Sequence, residues 1–203
     1  LRDQGDAFPC ACSRKRLAGQ LHHGVCATPN NSDHAWRFLC PTADITLTDG
    51  LQDDHCYSLA DEIGDFVIRR RDSLWSYQLA VVVDDAAQNI THVVRGIDLI
   101  DSTVRQYLIQ DALNLPVPAY SHIPVAVETN GQKLSKQNLA LPLSAAHASD
   151  TLWQALEWLR QSPPDELRTE TVSNLLTWAT EHWQIEALRG LLSRPAPTPF
   201  QRT

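Results

Sequence analysis

The chain has 203 residues, of which 43% are hydrophobic and 20% are charged. This composition predicts an ordinary folded protein with room for one full domain and a small appendage, and it excludes a long repeat array. Seventeen basic and 24 acidic side chains give a net charge of −7, so nucleic-acid binding would need a local basic patch. No apolar run approaches the roughly 18 residues that a membrane crossing needs, so we expect no membrane partner.

The ends of the chain and its cysteines indicate its cellular setting. The sequence contains no methionine, and residues 1–7 lack the apolar segment of a signal peptide, so we interpret the chain as a piece of a longer protein. Its five cysteines all lie in the first third: Cys10, Cys12, Cys26, Cys40 and Cys56. An odd number confined to one region does not indicate a disulfide framework. We therefore expect a reducing, cytoplasmic setting, and we interpret Cys40 and Cys56 as structural.

Residues 1–62 are rich in Cys, His, Asp and Gly and show no sustained hydrophobic periodicity. We expect loops and short elements there, held together by a metal rather than by a large core. Three thiols and two imidazoles fall within 17 residues: Cys10, Cys12, His22, His23 and Cys26. Such side chains are the ligands of tetrahedral zinc. The alternatives are three reduced core cysteines or, disfavoured by the Cys-x-Cys spacing, a redox pair.

Residues 63–143 contain short runs that are rich in β-branched residues. Three of these runs predict strands: 65–70, 91–94 and 123–127. Residues 77–83 are apolar on both faces, which predicts a further strand, buried in a parallel sheet.

One helix is predicted between these strands. Residues 98–113 have helical spacing, and Thr103 and Gln106 offer a capping box at the start. Strands that alternate with helices predict an α/β layer. A turn at 129–132 follows the last strand.

The end of the chain has a helical pattern. Two apolar stripes at helical spacing are separated by a Pro-Pro pair: Leu152, Trp153, Leu156 and Leu159, and then Val172, Leu175, Leu176, Ala179 and Trp183. We expect a small helical subdomain over residues 144–194. Residues 195–203 contain three prolines and are predicted to be a disordered tail.

The turn leads into Lys133-Leu134-Ser135-Lys136. Two ammonium groups three residues apart on a mobile loop suit the oxygens of a triphosphate, whose charge increases as pyrophosphate leaves. The alternative is a solvated lysine pair, and the surrounding sequence has to decide between the two.

Further motifs follow one another between residues 65 and 124. They read Asp-Phe-Val-Ile-Arg-Arg, Tyr-Gln-Leu-Ala-Val-Val-Val-Asp-Asp, Thr-His-Val-Val-Arg-Gly-Ile-Asp-Leu, Ser-Thr-Val-Arg-Gln and Tyr-Ser-His-Ile-Pro. In this order they resemble the second half of the catalytic domain of the glutamyl-tRNA synthetases, class I enzymes with a mobile Lys-Met-Ser-Lys-Ser type loop. The resemblance covers residues 65–138.

Within that family the chain is most similar to a shortened group, the glutamyl-queuosine tRNA(Asp) synthetases. The Cys-x-Cys pair, the Lys-Leu-Ser-Lys-Gln-Asn loop and the 65 residues after Asn138 carry this similarity, because a large helical anticodon-binding region does not fit there. The resemblance implies an α/β fold, namely the second half of a class I synthetase Rossmann-type catalytic domain with a zinc-knuckle insertion and a small helical C-terminal subdomain. The implied segments are 1–62 (zinc knuckle and insertion), 63–143 (second Rossmann half with the lysine loop), 144–194 (helical subdomain) and 195–203 (disordered tail).

The resemblance also implies roles for individual residues. Tyr77 and Arg95 correspond to residues that contact the glutamate substrate, although an ion pair with Asp98 is the alternative for Arg95. The implied catalytic loop residues are Lys133, Ser135 and Lys136, of which Lys136 meets ATP. The implied ligands of a structural zinc ion are Cys10, Cys12, His22 and Cys26. His22 occupies a position that is tyrosine in the family pattern, and His23 stays an open alternative.

The function implied by the resemblance is activation of glutamate with ATP and Mg²⁺, followed by transfer to the queuosine base at the wobble position of tRNA(Asp). We expect a cytoplasmic monomer. The sequence contains neither the His-x-Gly-His signature nor the Pro-Ser-Pro-x-Gly loop of class I enzymes, so we expect the first Rossmann half to be missing and this chain alone to be inactive. The alternatives are a non-catalytic zinc-knuckle RNA-binding module and a glutamyl-tRNA synthetase fragment. Arg69, Arg70 and Arg71 are either contacts to the anticodon stem or a solvated basic run.

Overall fold

The structure is a computed structural model that describes residues 1–26, 34–135 and 142–197. The chain divides into two compact units: Leu1–Val94 with Leu99–Ser121, and Arg95–Asp98 with His122–Thr203. Strands and helices occur in both units, so the chain is mixed α/β, as predicted. Among the described residues, no helix combines the length and the apolar character needed to cross a membrane.

The first unit is built on a three-stranded antiparallel sheet in the order β1-β2-β5. Its strands are β1 (Ala7–Cys10), β2 (Ala35–Phe38) and β5 (Phe66–Arg69). A register shift between Trp36 and Arg37 interrupts the pairing of β2 with β5. The strand predicted at 65–70 is thereby confirmed, and it pairs antiparallel rather than in a parallel layer.

Short elements complete the first part of this unit, as predicted for residues 1–62. They are helix α1 (Arg14–Leu17) and the antiparallel pair β3 (Ile45–Leu47) and β4 (His55–Tyr57). A five-residue helical turn over Leu59–Ile63 then leads into Gly64 and β5.

The strand predicted at residues 77–83 is wrong, because helix α2 spans Tyr77–Ala87. Ser76 caps this helix, since its hydroxyl accepts a hydrogen bond from the Leu79 N–H at 3.4 Å. A short apolar run fits a buried strand or a buried helix equally well. Here the serine cap and the alanines at 86 and 87 favour the helix. Only one side of α2 is buried, because Val82 faces the core whereas Val83 is exposed.

Helix α3 (Ile100–Ala112) confirms the helix predicted over 98–113, but its predicted capping box is wrong. The helix is preceded by Leu99, which makes no side-chain cap. Thr103 and Gln106 lie inside α3 and are buried. The Gln106 amide donates to Gln78 Oε1 of α2 at 3.0 Å. Gln106 therefore links α3 to α2 and does not cap α3.

Three further strands follow in the chain. Strand β6 (His92–Gly96) confirms the strand predicted at 91–94, and it pairs with β7 (Ala119–Ile123). The strand predicted at 123–127 is seen as the end of β7 and as β8 (Val125–Val127).

The hydrophobic core of the first unit lies between the sheet, α2 and α3. Phe38 and Phe66 stack with ring centroids 5.2 Å apart. The other buried members include Tyr57, Leu59, Ile63, Ile68, Val82, Val104 and Ile109. Complete burial of such a side chain contributes about 1.5–3 kcal/mol. Because Phe66 is held in this core, the residue before it, Asp65, has a fixed position.

In the second unit, helices α4 (Ala148–Trp158) and α5 (Val172–His182) confirm the helical pattern. Leu156, Leu175 and Ala179 form their buried contact, whereas Leu176 and Trp183 are exposed. A parallel pair joins β8 to β9 (Ser193–Pro195).

The predicted disordered tail does not begin at Pro195. This residue ends β9, and the next one, Ala196, is buried and donates its N–H to the Val127 carbonyl oxygen at 2.8 Å. Proline has no N–H to donate to a neighbouring strand, so it is tolerated at the end of a strand such as β9. Residues 198–203 lie outside the described residues.

Candidate functional site

Four side chains, one from the end of β1 and three from the segment that follows it, converge in the first unit. The ligand-type atoms of Cys10, Cys12, His22 and Cys26 all lie within 4.8 Å of one another. Cys26 Sγ is 3.6 Å from Cys10 Sγ and 3.6 Å from Cys12 Sγ. His22 Nε2 is 3.3 Å from Cys10 Sγ and 3.1 Å from Cys26 Sγ. We call these four residues the knuckle cluster.

The spacing of the knuckle cluster fits one tetrahedral ion. Metal–sulfur bonds of about 2.3 Å at tetrahedral angles place two sulfur ligands about 3.8 Å apart. The sulfur–sulfur distances of 3.6 Å in the knuckle cluster are close to that value. The cluster contains no disulfide, because each of its cysteines is free. The group could therefore hold a metal ion.

The local backbone explains how these side chains meet. Cys10 ends β1, and the Cys12 N–H donates to Cys10 Sγ at 3.3 Å, which turns the chain after the strand. The Phe8 ring packs on His22 with ring centroids 5.6 Å apart. His23 is exposed and is not part of the cluster, so the open choice between the two histidines falls on His22.

The thiols of the knuckle cluster influence one another electrostatically. Burial raises the pKa of the Cys26 thiol to about 12, and Cys12 and Cys10 act in the same direction. Burial also opposes ionisation of Cys10, but hydrogen bonds from the Cys12 N–H, Arg37 and the thiols of Cys26 and Cys12 together outweigh it, so the pKa of Cys10 lies below its ordinary value. One thiol ionises more readily and its charge then opposes ionisation of the next. A divalent cation would relieve this repulsion.

Asp65 is the buried neighbour of this cluster. His22 Nδ1 lies 2.8 Å from Asp65 Oδ2, and the two side chains are only 5% and 2% exposed. The other carboxylate oxygen, Oδ1, accepts the Cys40 N–H at 2.9 Å. The Asp65 N–H donates to the His22 carbonyl oxygen at 2.7 Å. Two hydrogen bonds thus join Asp65 to His22. One is between the two side chains, and the other is between the two backbones.

Gly64 permits this close approach of the two chain segments that carry His22 and Asp65. Its φ is +59°, and a Cβ atom there would lie 2.8 Å from the His22 carbonyl oxygen. Both the backbone conformation and the space therefore require glycine.

Sequence reasoning missed Asp65 and Arg37. Asp65 is 43 residues from His22, so no local spacing connects them. Arg37 donates from Nη1 to the Asp65 carbonyl oxygen at 2.9 Å and is buried in β2. The one available signal was an arginine set among apolar residues, in Ala35-Trp36-Arg37-Phe38.

The two residues assigned to glutamate lie in different units. Tyr77 is the first residue of α2 and is 51% exposed. Arg95 lies near the end of β6, and its Nε donates to Nε2 of the buried His122 at 3.2 Å. The Nε contact orients the Arg95 guanidinium. Asp98, the alternative partner of Arg95, forms an ion pair with Lys133.

The lysine loop is described only in part. Its predicted turn is confirmed, because the Gly131 N–H donates to the Glu128 carbonyl oxygen at 2.9 Å and Gly131 has a φ of +80°. Lys133 follows this turn, is exposed and forms an ion pair with Asp98, and its role at ATP stays a prediction. Ser135 is half-buried. Lys136 lies outside the described residues, so its contact with ATP stays a prediction.

Sequence and structure comparisons identify the relatives of this chain. It is 44% identical to the glutamyl-Q tRNA(Asp) synthetase of Thiobacillus denitrificans, over 97% of this chain and 70% of that protein. It is 45% identical to the protein of the same name from Ectopseudomonas mendocina, over 96% and 67% of the two chains. Residues 15–158 match the family described as tRNA synthetases class I (E and Q), catalytic domain. The chain belongs to the glutamyl-Q tRNA(Asp) synthetase family.

The fold of this family member is that of a class I synthetase catalytic domain. A crystal structure of a glutamate-tRNA synthetase from Elizabethkingia anophelis superposes with a TM-score of 0.61 at 19% identity. The superposition covers 81% of this chain and 37% of that protein. The mixed α/β class predicted from the sequence is therefore confirmed.

Proposed function

We propose that the protein activates glutamate with ATP, using Mg²⁺, and transfers the glutamyl group to the queuosine base of tRNA(Asp). The observation that carries this proposal is the family membership, with 44% identity over nearly the whole chain to a synthetase of that name. In the first step, a glutamate carboxylate oxygen attacks the α-phosphate of ATP, and pyrophosphate leaves. In the second, a nucleophile on the queuosine base attacks the carbonyl carbon, and AMP leaves.

Within this function, the chain supplies the second Rossmann half, with the knuckle cluster inserted before it and the small helical subdomain after it. We keep the first three segments as expected from the sequence, 1–62, 63–143 and 144–194, whereas the tail expected at 195–203 cannot begin before residue 198, because Pro195 ends β9 and Ala196 is buried. We expect the enzyme to act as a cytoplasmic monomer.

We propose zinc as the ion of the knuckle cluster, held by Cys10, Cys12, His22 and Cys26. Three thiolates and one imidazole are a common ligand set of structural zinc. Four protein ligands leave no position for a water molecule, so the ion stabilises the fold and takes no part in the chemistry.

Arg95 is proposed to bind the glutamate carboxylate, and Tyr77 to contact the same substrate. A guanidinium offers the planar pair of donors that a carboxylate requires. The contact with the buried His122 through Nε holds the guanidinium in a fixed orientation. Lys133, Ser135 and Lys136 are proposed as the loop that meets ATP, where positive charge stabilises the departing pyrophosphate.

A basic groove on the first unit supports an RNA partner. The groove has a volume of about 710 Å³. Of the described residues that line it, four are arginines and none is acidic: Arg14, Arg37, Arg70 and Arg71 are the arginines. Two exposed aromatic rings, Trp75 and Tyr77, lie along the same groove. Guanidinium groups bind phosphates and aromatic rings stack on unpaired bases, so this is the local patch that an acidic protein needs to bind RNA.

Replacing Arg70 by glutamine is expected to weaken tRNA(Asp) binding and to reduce the slope of log affinity against log salt by about 1, because one phosphate contact is lost. Arg2→Gln is the matched control. Both side chains are exposed, by 61% and 70%, and each is paired with a nearby aspartate. Binding measured at several salt concentrations checks this. Equal effects of the two substitutions would show that Arg69–Arg71 is only a solvated basic run.

Transfer of labelled glutamate tests the function itself, using the protein as its gene encodes it. Three acceptors are compared: tRNA(Asp) with queuosine, tRNA(Asp) without it, and tRNA(Glu). We expect transfer to the first alone. Efficient charging of tRNA(Glu), or transfer to queuosine-free tRNA(Asp), contradicts the proposed specificity. Absence of both transfer and glutamate-dependent pyrophosphate exchange contradicts catalysis and favours the non-catalytic RNA-binding module.

A further inference from the structure

The contact between His22 and Asp65 selects between the two tautomers of the imidazole. A carboxylate can only accept hydrogen bonds, so at 2.8 Å from Asp65 Oδ2 the His22 Nδ1 atom carries the proton. The lone pair of a neutral imidazole then resides on Nε2. That atom is the one that faces Cys10 Sγ and Cys26 Sγ, at 3.3 and 3.1 Å.

We infer that Asp65 is the positioning residue of the metal centre, holding His22 in the tautomer that ligates through Nε2. This inference rests on the proposed zinc site. Buried carboxylate partners of this kind orient a ligating histidine and make it more basic. The inference concerns this chain in particular, because its histidine stands where the family pattern has a tyrosine, and a phenol has no tautomer to select.

Asp65 is itself held from three directions, so its carboxylate cannot turn away. Its Oδ1 accepts the Cys40 N–H, its N–H donates to the His22 carbonyl oxygen, and its own carbonyl oxygen accepts from Arg37. Asp65 precedes Phe66, which is packed in the core. The orientation of a metal ligand in the loops is thus tied to the sheet of the first unit.

Arg37 balances the charge of this arrangement. Three thiolates and one Zn²⁺ carry a net charge of −1, and the Asp65 carboxylate adds another negative charge nearby. Arg37 is buried, donates to the Asp65 carbonyl oxygen and lowers the pKa of Cys10, and within the described part of the chain its Nε has no hydrogen-bond partner. A buried cation in this place lowers the cost of keeping these negative charges out of water.

Asparagine at position 65 tests the inference with little change of shape. If the amide NH₂ faces His22, Nδ1 must accept a hydrogen bond and the proton moves to Nε2, which blocks ligation. If the amide oxygen faces His22 instead, the NH₂ meets the Cys40 N–H, donor against donor. Either orientation disturbs the site, so we expect Asp65→Asn to weaken zinc binding about 10- to 100-fold.

The control is the same substitution in a His22→Cys background. A thiolate ligand has no tautomer, so there we expect Asp65→Asn to cause no loss of zinc affinity. Affinity is measured on the intact protein by competition with a chromophoric zinc chelator. In the zinc-bound parent, the nitrogen chemical shifts of the His22 ring are expected to show the proton on Nδ1.

Four results would overturn the inference. An equal loss of zinc affinity in both backgrounds would show that Asp65 supports only the fold. Unchanged affinity of Asp65→Asn, or a proton on Nε2 of the parent His22, would show that Asp65 does not set the tautomer. A parent protein that binds no zinc would overturn the zinc proposal, and the inference with it.

Discussion

Replacing Cys26 by serine is expected to remove the bound metal and to unfold the loops that it holds. Cys26 is the sulfur at the centre of the cluster, within 3.6 Å of both other thiols and 3.1 Å from His22 Nε2. Structural zinc binds with an apparent free energy of about 10–16 kcal/mol, and where no large core is present this is folding free energy. Within the described residues, 11–26 contain only the four-residue helix α1, so we expect this effect to exceed that of removing any single core side chain.

Metal analysis of the purified protein and titration of its thiols check this prediction. The parent is expected to contain about one zinc ion per chain, with the cluster thiols protected from reagent. Cys56→Ser is the matched control, because Cys56 is exposed in β4 and outside the cluster, and it should keep the metal. Stoichiometric zinc in Cys26→Ser, or full thiol reactivity in the untreated parent, would contradict a bound metal.

Replacing Arg95 by leucine is expected to raise the glutamate requirement sharply. The substitution removes the guanidinium proposed to hold the substrate carboxylate, and loss of one member of a desolvated charged pair costs about 2–5 kcal/mol. The glutamate concentration for half-maximal activity should therefore rise about 30-fold or more. Zinc content and tRNA binding should stay nearly unchanged, because Arg95 is not part of the knuckle cluster or the basic groove.

Glutamate-dependent pyrophosphate exchange by the intact enzyme measures this effect. Arg189→Gln is a suitable control: Arg189 belongs to the same unit, but it is exposed and pairs with Glu186 on the surface. A normal glutamate requirement in Arg95→Leu would show that another residue binds the carboxylate. A loss of zinc or of tRNA binding along with activity would indicate unfolding rather than a substrate contact.

Elements whose signals are local could be predicted well from the sequence. Strands β5 and β6 have β-branched runs, and α3 has an apolar stripe at helical spacing. The residues of these elements therefore favour the observed secondary structure by themselves. Residues 77–83 carry no such preference, because an apolar run suits either element. There, a single serine cap and the packing of α2 on α3 decide. Gln106, read as a cap, proved to be part of that packing.

The sequence by itself indicated the family, through ordered motifs, and the candidate metal ligands, because three thiols and two imidazoles lie within 17 residues and are side chains that zinc prefers. Only the tertiary structure decided between His22 and His23, since burial and the contact with Asp65 depend on the approach of a segment 43 residues away. It also showed the basic groove, whose arginines come from α1, β2 and the loop after β5. Such groupings arise from chain topology and the packing of the core, and no spacing along the chain encodes them.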